Sequence, residues 1–83
     1  METTFTELLR PHLRFLPDDQ PVTEETPLPT MGLTSMQAIE LMFDIEDAYG
    51  ITLDDEYLND ATFATARSLW QAVEATRDRS EAA

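Results

Sequence analysis

Apolar residues recur along the chain at helical intervals in three places. Over residues 4–16, Phe5, Leu8, Leu9, Leu13 and Leu16 make one apolar stripe, which predicts a helix. Pro11 falls inside this pattern. It lacks an amide donor, so the helix should kink or split near Arg10. The cleanest pattern covers residues 34–49, where Leu41, Ile45 and Ala48 form an inward row joined by Ala38. Thr34 and Gln37 have capping-box spacing at its start. Gly50 is placed to end it in a left-handed conformation. A last helix should begin at Thr62 or Thr65, with Phe63, Ala66, Leu69, Trp70 and Val73 on its apolar side.

The segments between are of two kinds. Residues 17–33 contain Pro17, Pro21, Pro27, Pro29 and Gly32, which forbid a regular helix. Val22, Leu28, Met31 and Leu33 can pin that long loop to a core. Ile51 and Leu53 alternate around Thr52 as a short extended link, and residues 54–59 suit one short helical turn. Residues 78–83 read as a polar, frayed end. The expected fold is all-α, with three long helices and one short one.

Length and charge narrow the function. The chain has 83 residues, enough for one small domain with its core over about 4–77. Its formal net charge is −12, and all five basic residues are Arg lying outside 15–66. Phosphate binding needs Lys or Arg, so nucleic acid and anionic membrane are poor partners. A protein with a basic patch is a good one, steered in by long-range attraction. Plain solubility charge is the bland alternative. There is no cysteine, no leader pattern and no apolar run near the ~20 residues of a membrane span. A cytoplasmic, monomeric chain agrees with this.

Candidate chemistry gathers at Ser35. With Thr34 as the cap, Ser35 is the first helical residue and its hydroxyl points to solvent. Free amide donors and the positive end of the helix dipole lie beside it, which suits a phosphodiester. Glu40, Asp44 and Asp47 follow at +4 and +3 spacing as an exposed acidic stripe, with Met36, Ile39 and Phe43 alongside. Such a face suits a basic, partly apolar groove on a partner. The alternative makes Ile39 and Phe43 core and the acids a solvated face. Catalysis has no support. His12 is the one histidine, reads as a surface or capping residue, and has nothing to orient it in a Ser-His-Asp arrangement. The acids around Asp54 lack calcium-loop spacing, so no metal is expected.

The run Gly32-Leu33-Thr34-Ser35-Met36-Gln37-Ala38-Ile39-Glu40-Leu41 resembles the signature of acyl and peptidyl carrier proteins, in which a serine opens the second helix and a glutamate follows five residues on. Ile45-Glu46-Asp47-Ala48-Tyr49-Gly50-Ile51 is similar to the end of that family's helix. The resemblance implies a four-helix bundle of acyl-carrier type, with 4'-phosphopantetheine placed on Ser35 from coenzyme A by a phosphopantetheinyl transferase. It implies a thioester-bound acyl or aminoacyl cargo, and partners that are adenylating ligases or acyl- and aminoacyl-transferring synthases. It puts Met36, Glu40 and Asp47 on the partner-recognition helix, with Thr34 counted among the docking residues at its start. The family commonly has Asp before the modified serine; Thr34 caps the helix but brings no charge. Thr34-Ser35 followed by Tyr57-Leu58-Asn59 and Thr62-Phe63 looks more like stand-alone carriers paired with a dedicated adenylating ligase, some of which carry amino acids. The competing reading is an unmodified acidic adaptor that docks basic proteins.

Overall fold

The computed structural model describes residues 2–82. Among them are three α-helices, α1 (Thr3–Leu9), α2 (Ser35–Tyr49) and α3 (Ala66–Ala82), and two 3-10 turns, Arg10–His12 and Asp55–Tyr57. No strand occurs among the described residues; the nearest approach is one isolated bridge between Pro27 and Thr65. The all-α expectation therefore holds, with two changes. The first helix is seven residues rather than a long one, and the short fourth helix is a 3-10 turn.

Pro11 explains the first change. It occupies the early part of the 3-10 turn, where its missing donor is tolerated, and the α-helix stops before it. The stripe continues across the break: Phe5, Leu9, Leu13 and Leu16 are all buried. At the other end α3 runs on to Ala82, so the described part of 78–83 is helical rather than frayed, and Ala83 lies outside the described residues. Thr65 starts α3 through a reciprocal pair. Its hydroxyl accepts from the Ser68 amide at 3.2 Å, and Ser68 Oγ accepts from the Thr65 amide at 3.1 Å. Phe63 is buried but sits in the turn before the helix.

The core joins all three helices to the loop: Phe5 and Leu9 from α1, Leu41 and Ile45 from α2, Leu69 and Val73 from α3, and Leu28 from the loop are fully buried. Ala48 does not join the inward row; it is exposed, and Met42 is buried instead. The loop is stitched to the start of α3 by backbone bonds. Leu28 N–H donates to Ala64 C=O at 3.1 Å, Ala66 N–H to Thr26 C=O at 3.2 Å, and Arg67 N–H to Glu24 C=O at 2.9 Å. The Arg67–Glu24 ion pair at 3.0 Å lies over the same seam.

Tyr49, at the last turn of α2, packs its ring edge-on to Trp70 at 6.1 Å, and Trp70 in turn meets Phe5 at 4.8 Å. The Tyr49 hydroxyl is closed off from solvent with no hydrogen-bond partner among the described residues. Burial raises its pKa above the ordinary phenol value; the Glu2 carboxylate, near but outside hydrogen-bond geometry, adds to this and Arg77 opposes it. An orphaned hydroxyl costs its desolvation, so Tyr49→Phe should stabilise the fold by about 1 kcal/mol in urea titrations. The sign with pH comes from the raised value. In the parent, stability is complete below the unfolded phenol's pKa near 10 and falls as pH rises beyond it. The Phe variant should lose less stability than the parent above about pH 10.

Candidate functional site

The turn into α2 is set by Gly32 and Thr34. Gly32 has φ +108°, a region that L side chains rarely enter. A Cβ there would come within 3.1 Å of the Arg14 backbone nitrogen and 3.3 Å of the Phe15 ring. Gly32→Ala should therefore cost about 2 kcal/mol of stability, read as a lower urea midpoint. Thr34 follows in extended conformation and its hydroxyl accepts from the Gln37 amide at 3.2 Å, as the capping spacing predicts. The Gln37 side chain does not complete the box; it turns to His12.

That histidine corrects the expectation of a surface or capping residue. His12 is buried, with Nδ1 2.7 Å from Gln37 Oε1 and Nε2 2.9 Å from Asp44 Oδ2. The signal was present: His12 lies on the stripe of Phe5, Leu8, Leu9 and Leu16, and Gln37 and Asp44 are two turns apart on one face of α2. The bonds clamp the 3-10 turn after α1 against the first and middle turns of α2.

With Thr34 taking the cap, Ser35 opens α2 and its side chain is exposed. Thr34 C=O accepts from Ala38 N–H at 2.8 Å, the first full helical bond. The amides of the first turn have no intrahelical acceptor, and with the dipole they favour an anion beside Ser35. A groove of about 630 Å³ runs from this serine between α2 and the segment leading to α3. Its apolar lining includes Leu33, Ala38, Ile39, Leu58 and Phe63; its polar lining is Thr34, Ser35, Asn59 and Asp60. Nothing in the sequence pattern brought Leu58 and Asp60 to Ser35, because only the turn after the Asp55–Tyr57 segment places them there. The arrangement fits a phosphate-linked arm: a hydroxyl free of capping duty, amides for the phosphate, and an apolar trough for the arm's methylenes.

The acidic stripe is exposed as expected, with Glu40, Asp44 and Asp47 all on the surface of α2. Asp44 is partly engaged, since it also holds His12. Beside the acids, Met36, Ile39 and Phe43 are 76%, 49% and 59% exposed, so they are not core. Four arginines are occupied elsewhere. Arg10 donates to the Pro17 and Gln20 carbonyls, Arg67 pairs with Glu24, Arg77 with Glu2, and Arg79 with Asp54.

Similarity to known proteins agrees with this geometry. The sequence profile of the phosphopantetheine attachment site family matches residues 5–73. An aminoacyl carrier protein of Agrobacterium fabrum is 30% identical over 83 residues, covering both chains completely. The chloroplastic acyl carrier protein 1 of Casuarina glauca is 37% identical over 41 residues, which is 49% of this chain and 30% of that protein.

Proposed function

Since the chain belongs to the phosphopantetheine attachment site family, whose members are carriers and not enzymes, we propose that Ser35 bears the arm and that the cargo is an aminoacyl group. The observation that carries the first part is local. Thr34 supplies the cap, which leaves the Ser35 hydroxyl exposed at the first position of α2. The second part is supported by the full-length similarity to an aminoacyl carrier protein.

Ser35 Oγ is the nucleophile in arm attachment. It attacks the β-phosphorus of coenzyme A, the bond to the adenosine bisphosphate breaks, and the hydroxyl proton passes to a base on the transferase. Nothing in this chain needs to act as that base. The first-turn amides of α2 orient the resulting phosphodiester. When bound, the arm supplies a terminal thiol on which an acyl group is held as a thioester. Glu40, Asp44 and Asp47 give the transferase and an adenylating ligase a charge to dock on, and Met36, Ile39 and Phe43 give them apolar contact.

Incubation with coenzyme A and a broad-specificity phosphopantetheinyl transferase tests the site. A mass gain of one phosphopantetheine, mapped by fragmentation to Ser35, is expected. No gain, or a gain mapped elsewhere, would overturn the assignment. Failure to gain mass would favour the unmodified adaptor, for which the exposed acidic and apolar face of α2 is the supporting observation. Intact mass of protein from its host tests the cargo: an aminoacyl increment supports the proposal, a fatty acyl increment overturns it.

A further inference from the structure

The groove beside Ser35 has an uneven set of polar groups. Thr34 accepts the Gln37 amide with its hydroxyl oxygen as the helix cap and carries no charge. Asn59 spends both ends of its amide, accepting from the Thr62 N–H at 2.8 Å and donating to the Glu56 carbonyl at 2.6 Å. Ser35 is the attachment point. Asp60 remains: it is exposed, lines the groove, and its carboxylate makes no hydrogen bond or ion pair among the described residues. It is also the one charged residue in the lining, which includes none of the five arginines.

We propose that Asp60 reads the charge of the cargo, pairing with the α-ammonium of an aminoacyl group that folds back into the groove and disfavouring cargo that ends in a carboxylate. This rests on the attachment of the arm at Ser35 and deepens that reading. The apolar lining accepts the methylenes of arm and side chain, while the single anion without a protein partner supplies charge complementarity to an ammonium and repulsion to a carboxylate. A neutral acyl head gains only the apolar contact. An exposed ion pair is weak, so Asp60 shifts the docked population rather than trapping the cargo.

The test uses the full chain carrying amide-linked, hydrolysis-resistant glycyl, propionyl or malonyl arms, loaded from the corresponding coenzyme A analogues. Glycyl and propionyl have nearly the same shape and differ in charge. Mass spectrometry first establishes that the arm is on Ser35; its absence there overturns the attachment reading and this inference with it. Amide chemical shifts of residues 58–63 at about pH 6, below the ordinary α-amino range, then report docking. The glycyl form should show a docked population about threefold above the propionyl form, the scale of one exposed ion pair. The malonyl form should fall below both. The glycyl preference should vanish in Asp60→Asn and near 1 M salt, where the Debye length is roughly 3 Å. It should persist in Asp55→Asn, which changes net charge equally outside the groove. Equal shifts for all three heads on a correctly loaded chain would overturn the inference alone. So would a glycyl preference that survives Asp60→Asn, or one that Asp55→Asn abolishes equally.

Discussion

Ser35→Ala should gain no arm under conditions that fully convert the parent, and should do so without loss of stability. The two halves of that result have separate causes. The hydroxyl is the only atom that can form the phosphodiester at this position, so its removal leaves nothing to modify. Structurally the residue has no duty, because the cap belongs to Thr34 and the side chain is exposed. A surface substitution of this kind changes stability by no more than about 0.5 kcal/mol. Thr34→Ala is the informative contrast: it removes the acceptor of the Gln37 amide and should cost about 1 kcal/mol. Mass spectrometry and urea unfolding on both variants separate the roles. A Ser35→Ala protein with a markedly lower urea midpoint would show that the serine holds the turn together.

Leu28→Ala should be the most damaging substitution outside the helices, at about 3 kcal/mol. The figure is that of a helical core leucine, because Leu28 is fully buried although it lies in a proline-rich loop. A domain of this length has roughly 4–12 kcal/mol in total, at the usual stability per residue. The cavity would open at a junction. Leu28 donates to Ala64 ahead of α3, and its carbonyl accepts from Leu33 at 3.0 Å, just before the Ser35 turn. Equilibrium urea unfolding measures the loss. A cost below about 1 kcal/mol would mean that the site collapses around the smaller side chain or that the loop is not core.

These two residues also mark what was legible in the sequence. Periodicity found the α2 stripe, the capping threonine and the left-handed Gly50, whose φ is 63°, because each is a local decision. It identified Leu28 as a loop anchor from apolarity alone. It placed the exposed Met36, Ile39 and Phe43 correctly on one face but could not choose between core and surface, since helical spacing says which residues share a face and not what faces them. His12 escaped for another reason. Its burial depends on Gln37 and Asp44, 25 and 32 residues away, and a polar residue on an apolar stripe reads as an interruption until its partners are seen. Ala48 left the inward row and Met42 joined it because the inward direction of a helix is set by neighbours on both sides. The groove could not be read at all, because Leu58, Asp60 and Phe63 reach Ser35 only through tertiary packing.

The seam between residues 24–28 and 64–67 bears on when the site can exist during synthesis. Each bond across it spans about forty residues of chain, so closure carries the entropy of a long loop and waits for both ends. A nascent chain that has left the ribosome only through α2 has the capping threonine and the serine but no acceptor at Ala64 for Leu28, and no Phe63 to form the groove wall. The groove beside Ser35 is thus completed by the last third of the chain. The serine and its cap are made early, but the groove wall beside them is finished late.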